Sequence, residues 1–124
     1  MGDATPLTNT TVGNSTFLEG RPGEPYMRRA DDVTALIGEC FSAHSRWALL
    51  YPENLPPAFF NVSSQEAGTI LQKLRNYGVR LAVVAQRDSV PASSRFHELM
   101  AAEQRDGAFG LFETREAAVA WLAR

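Results

Sequence analysis

From about residue 31 onward, stretches with helical spacing of apolar residues alternate with short, continuous apolar runs. That is the pattern of helices laid on a buried sheet. Val33, Leu36, Ile37, Cys40 and Phe41 form one face of a helix opened by Asp31 and Asp32, whose charges suit the positive end of its dipole. Trp47 to Tyr51 is a continuous apolar run and predicts a buried strand. The next helix starts at Ser63, which forms a capping box with Glu66. Ala67, Ile70, Leu71, Leu74 and Tyr77 make its apolar stripe, and Gly78 ends it. Leu81 to Ala85 is apolar throughout and predicts a central strand. A helix begins at Ser93 or Ser94 with Phe96, Leu99, Met100 and Glu103 at its spacing, so its inner face is partly polar. Ala108 to Phe112 is a short strand, and Thr114 caps a last helix with Ala117, Ala118, Trp121 and Leu122 inward.

Ahead of these elements the signal is weaker. Residues 1–14 are rich in Thr, Asn, Gly and Pro and predict a mobile tail, leaving residues 15–124 as one domain. Thr16 to Glu19 and Pro25 to Arg29 predict two short strands joined as a hairpin through the turn Arg21-Pro22-Gly23-Glu24. Pro52, Pro56 and Pro57 exclude regular structure over 52–62, yet Leu55, Phe59 and Phe60 are large and apolar. That loop either packs on its own core or forms the rim of a groove or a dimer contact. The full order is β-β-α-β-α-β-α-β-α. It implies a single-domain α/β fold with a mixed, mostly parallel sheet, because strands alternating with single helices pair through right-handed crossovers.

Composition narrows the function classes. The chain has 124 residues, a formal charge of −2, 44% hydrophobic and 21% charged residues, all ordinary for a globular domain. A nucleic-acid binder would show a basic balance, which is absent. One cysteine, Cys40, excludes an intrachain disulfide, and its place on an apolar face makes it a core residue. Residues 1–16 have no apolar run that would make a signal peptide, and no stretch is long enough to span a membrane, so the chain reads as cytoplasmic.

Candidate chemistry is sparse. Two histidines on separate elements, His44 and His97, and one cysteine lack metal-ligand spacing, so no metal and no cofactor are expected. There is no Gly-x-Ser-x-Gly and no phosphate-cradling glycine run. The polar groups expected near the carboxyl end of the sheet are Gln86, Arg87, Arg95, His97 and Glu98. They make either a solvated helix face or a cluster that binds an anion.

The helix–strand unit ending in Val79-Arg80-Leu81-Ala82-Val83-Val84, with the closing helix from Thr114 to Leu122, resembles the STAS domain of anti-sigma-factor antagonists. More closely, Pro56, Phe59, Phe60, Gln72, Lys73, Asn76 and Tyr77 resemble the pattern of an uncharacterised bacterial domain family, over about residues 32–122. Asn61 and Thr69 stand where that pattern favours acidic residues. In size and layout the chain is also similar to the small proteins that install lysinoalanine in cinnamycin- and duramycin-type lanthipeptides.

That last resemblance implies a protein that grips a modified peptide while a lysine amine adds to a dehydroalanine, with a substrate carboxylate as base. Glu19 and His97 are then the catalytic candidates. Phe17, Phe59, Phe60, Gln86, Arg87 and Arg95 are the substrate-binding candidates. Independently of that resemblance, the Phe59-Phe60 loop and an edge-strand hairpin could pair across a two-fold axis, which makes a homodimer an expectation. The STAS resemblance implies instead a regulatory protein-binding module, phosphorylated at Ser63 or Ser64, where a helix N-terminus would accept the phosphate.

Overall fold

The computed structural model describes residues 7–61, 65–86, 94–106 and 108–123. It contains five strands: β1 (Leu7–Val12), β2 (Ser15–Gly20), β3 (Trp47–Leu50), β4 (Arg80–Val84) and β5 (Phe109–Phe112). Four helices accompany them: α1 (Val33–Ser42), α2 (Glu66–Tyr77), α3 (Ser94–Asp106) and α4 (Arg115–Leu122). The strands lie in chain order across one sheet; β1 is antiparallel to β2, and all other pairs are parallel. This is the expected single α/β domain with its mixed, mostly parallel sheet.

Sequential order has a consequence for layering. Right-handed crossovers that always step in the same direction leave every crossover helix on one side. Residues of α1, α2 and α3 accordingly share one large core with Leu18, Ala48, Leu50, Leu81, Val83 and Phe109 of the sheet. α4 is not a crossover and takes the opposite face. There Ala118, Trp121 and Leu122 pack on Phe17, Leu49 and Ala82. Alternate residues of each strand therefore serve different cores. Arg80 ties α4 down: its guanidinium lies 4.2 Å from the Trp121 ring centroid and donates to the Trp121 carbonyl at 2.9 Å, at the negative end of the helix.

The hairpin differs from the expected one. Its first strand is β1, drawn from the stretch read as a tail, and Gly13, with φ of 62°, makes the two-residue turn. Tyr26 to Arg29 is not a strand. Met27 is nonetheless buried, and its N–H donates to the Asn54 carbonyl at 2.8 Å. Asn54 explains the loop. Its buried amide donates to the carbonyls of Arg21 and Glu24 and accepts from the Tyr51 N–H, so one side chain satisfies two loops. Gly20 must lack a Cβ because Asn54 Oδ1 and Leu50 crowd that position.

The proline-stiffened segment packs on its own core. It forms two short 3-10 turns, Pro52–Asn54 and Pro57–Phe60, with Leu55 and Phe59 buried. Two aromatic residues expected inward are not: Phe41 and Tyr77 are about half exposed and meet edge to face, 6.2 Å apart, at the ends of α1 and α2. Glu103, on the partly polar face of α3, is buried and pairs with Arg75 at 2.8 Å. Helix α2 starts at Glu66; the expected cap Ser63 and its neighbour Ser64 lie outside the described residues.

Helices α1 and α2 end alike. In α2, Val79 N–H reaches the Leu74 carbonyl at 3.0 Å, and Gly78 adopts the left-handed conformation with φ of 68°. In α1, Ser45 N–H reaches the Cys40 carbonyl at 2.9 Å, and the left-handed residue is His44, with φ of 57°. A residue with a Cβ is strained there and glycine is not. His44→Gly is expected to raise stability by about 1 kcal/mol. A thermal melt checks this; no rise in Tm would mean that the imidazole makes an offsetting contribution.

Candidate functional site

A densely bonded polar group is Glu19, at the carboxyl end of β2 on the face covered by α4. This edge is where open α/β sheets take ligands. Four donors converge on the carboxylate. Arg115 grips it bidentately, through Nε to Oε2 and Nη2 to Oε1, both at 2.9 Å. The Tyr51 hydroxyl donates to Oε2 at 2.8 Å and the Thr10 hydroxyl to Oε1 at 3.1 Å. The three residues that supply them come from different elements: Arg115 from the first turn of α4, Tyr51 from the end of β3 and Thr10 from the edge strand β1.

Local chemistry places them. Thr114 caps α4, its hydroxyl accepting from the Ala117 N–H at 3.1 Å, which fixes the first turn and so Arg115. The guanidinium also lies 5.9 Å from the Phe17 ring centroid. Tyr51 follows β3 and leads into the turn held by Asn54.

The electrostatics follow from these bonds. Arg115 above all, then Tyr51 and Thr10, hold the Glu19 carboxyl below the ordinary glutamate range, against the opposing effect of burial. Burial, then the adjacent carboxylate, pushes the Tyr51 hydroxyl up to about 12, so it stays a donor. Glu19 raises the proton affinity of the Arg115 guanidinium further. The result is a fixed anion, a fixed phenol and a cation whose side chain is 42% exposed.

The expected site residues fall on two sides of the sheet. Glu19 and Phe17 are on the α4 side, but the Phe17 ring is fully buried and offers a ligand no surface. On the other side, Phe59 is fully buried at the centre of an aromatic cluster, with Phe60, Phe96 and Phe109 at centroid distances of 5.2, 5.8 and 5.6 Å. Phe60 is half-buried against the same core. His97 stands in the first turn of α3, edge-on to Phe96 at 6.0 Å, and Arg95 beside it is exposed. Gln86 is exposed just past β4, and Arg87 lies outside the described residues. The sheet thus separates Glu19 from His97.

The sequence reading missed Arg115, Tyr51 and Thr10 as partners of Glu19. A weak signal existed: an arginine in the first turn of a helix is on the unfavourable end of the dipole and needs a nearby anion.

Residues 12–122 match DUF4180, a domain of unknown function. The chain belongs to this family. The DUF4180 match takes in β2 to β5 and all four helices, and so Glu19, Tyr51 and Arg115; of β1 it includes only Val12. No curated protein and no solved structure matches the chain.

Other places on this DUF4180 domain are less well built. An open groove of about 440 Å³ at the amino end of the parallel strands is lined by Asn14, Thr16, His44, Ser45, Arg46 and Trp47. Its one buried polar side chain, Ser45, already donates to the Thr16 carbonyl at 2.8 Å. Burial pushes the Cys40 thiol up to about 11, which keeps it un-ionised and unreactive near neutral pH. Among the described residues no three His, Cys, Asp or Glu side chains cluster as metal ligands, and no helix is long and apolar enough to cross a membrane.

Proposed function

We propose that this chain is a cytoplasmic peptide-binding protein that holds a dehydroalanine-containing peptide while a lysine amine of the same peptide adds to the dehydroalanine, forming lysinoalanine. The observation that carries the reading is the Arg115–Glu19 pair. A half-exposed guanidinium clamped bidentately by a carboxylate, itself held by Tyr51 and Thr10, is a rigid cation at the carboxyl end of the sheet. Rigid, outward-facing arginines suit peptide carboxylates, because little entropy is lost when the second bond forms.

The same geometry supports a division of roles. Glu19 is held as an anion by four donors and is a poor proton acceptor, so it positions Arg115 and the peptide supplies the base. In the reaction the lysine ammonium gives a proton to a peptide carboxylate. The neutral amine nitrogen then bonds to the dehydroalanine Cβ, the C=C π pair moves to Cα, and Cα takes a proton. Atoms and electrons balance without an oxidant or a cofactor. The protein contributes proximity, which lowers such barriers by roughly 7–11 kcal/mol when the reacting atoms are held near contact. Arg95 and His97 in the first turn of α3, with Gln86 just past β4, offer further contacts at the same end of the sheet. Phe17, Phe59 and Phe60 support the site from within the two cores.

The test uses a lanthipeptide that carries dehydroalanine and an unmodified lysine. The addition is an isomerisation, so intact mass does not change. Cross-linking is read instead as loss of thiol-trappable dehydroalanine and loss of fragmentation inside the new ring. The protein is expected to convert the peptide, and Arg115→Gln to slow conversion about tenfold, the worth of one charge-assisted hydrogen bond. A peptide that stays fully thiol-reactive after incubation with folded wild-type protein sinks the proposal.

A further inference from the structure

The two edges of the sheet are finished differently. β5 is four residues long and packs against both α3 and α4. Its Leu111 N–H, turned away from β4, is taken by Gln104 Oε1 at 3.3 Å. A short strand with a side chain bonded along its rim is a guarded edge.

β1, at the other edge, shows no such guard among the described residues. It runs six residues in unbroken register with β2, from Leu7 opposite Gly20 to Val12 opposite Ser15, without bulge or proline. In an antiparallel ladder alternate residues turn their N–H and C=O groups away from the partner strand. β1 therefore presents a row of them outward, and no strand lies beyond it among the described residues. Its Thr8, Asn9, Thr11 and Val12 are exposed, and none of its six residues is charged. Lysine or another charge is the commonest guard of a free edge.

We propose that β1 pairs antiparallel with β1 of a second copy of this chain, across a two-fold axis perpendicular to the sheet, joining two five-stranded sheets into one. The absence of charge is what selects a second copy over a foreign peptide. In a two-fold contact a residue near the axis meets its own counterpart, so any charge there would face a like charge. A peptide acceptor has no such constraint. An axis perpendicular to the sheet keeps the α4 faces of both copies on one side. Strand pleating then requires the axis to pass through a residue position, and the centre of β1 offers Asn9 or Thr10. Either choice draws the central cross-strand pairs from threonine and asparagine, whose side chains hydrogen-bond to one another.

Other contacts do not compete for this role. Phe59 and Phe60, whose loop was open to core packing or to a dimer contact, pack on the core. The pairing is small: standard interfaces bury roughly 1,600 Å² in total, more than two strands of this length cover alone. Association is therefore expected to be concentration-dependent.

Sedimentation equilibrium of the whole chain, from micromolar to near-millimolar concentration, tests the proposal. The wild type is expected to pass from monomer to dimer. The double variants Asn9→Lys/Thr11→Lys and Asn9→Glu/Thr11→Glu, on exposed positions outside the Glu19 network, are each expected to stay folded and monomeric. Mixed in equal amounts, they are expected to dimerise again, because opposite charges then face each other. A wild type that stays monomeric throughout, charged variants that dimerise as the wild type does, or a mixture that does not recover dimer each overturn it. None of these outcomes bears on peptide conversion.

Discussion

Phe59→Ala is expected to lower stability by about 4 kcal/mol, the upper part of the range for buried aromatic truncations. The ring is fully buried and sits among Phe60, Phe96 and Phe109, three aromatic neighbours from three elements. Removing it deletes transfer energy and edge-to-face contacts together. The site has little means to collapse, because Pro56 and Pro57 stiffen the backbone that would have to move. Chemical denaturation should show a lower midpoint. Phe59→Leu, which keeps most of the volume, should recover more than half of the loss. Equal losses for both would mean that ring geometry, not filled space, is what the core needs.

Glu19→Ala should cost about 3 kcal/mol, since it leaves the charged hydrogen-bond donor Arg115 and the hydroxyls of Tyr51 and Thr10 without their acceptor. Exposure of Arg115 to water keeps the figure from rising further. The pH dependence provides a second reading of the same contact. Glu19 has a lowered folded-state pKa, so its contribution is complete above the ordinary glutamate value. It is lost as pH falls from there through the lowered value. Glu19→Gln keeps the shape but cannot titrate, so its stability should fall less steeply in that window. Asp32 is also lowered, by the backbone N–H groups of Arg28 and Arg29, so part of the acid slope remains in every Glu19 variant. The difference between wild type and Glu19→Gln isolates the site. Identical acid limbs would show that the carboxylate is not held as the geometry requires.

The elements were legible where local rules agree with the tertiary result. The predicted start of α4, the Thr114 cap and the Gly78 stop are all observed, because capping and glycine stops act within a few residues. The first hairpin was not legible. Thr-rich, apolar-poor β1 looks like a tail, and only pairing with β2 makes it a strand. Phe41 and Tyr77 have helical core spacing but sit at helix ends, past the reach of the sheet, so periodicity misled there.

The candidate site was less legible still. Glu19 was singled out, but not for the reason the structure provides. Its partners lie 9, 32 and 96 residues away in the chain, and no local rule joins such positions. The expected grouping of Glu19 with His97 failed to form because the sheet runs between them. Which face a strand residue serves depends on register, and register is set by neighbouring strands.

Apolar rhythm, turn residues and caps were enough to specify a single α/β domain, its element order and the parallel pairing of its centre, because these depend on short-range periodicity and on the handedness of crossovers. The division into two cores, the arginine-held carboxylate and the unguarded edge came only with the assembled sheet. Each of these depends on long-range register, which sets which side chains face each other across strands far apart in the chain.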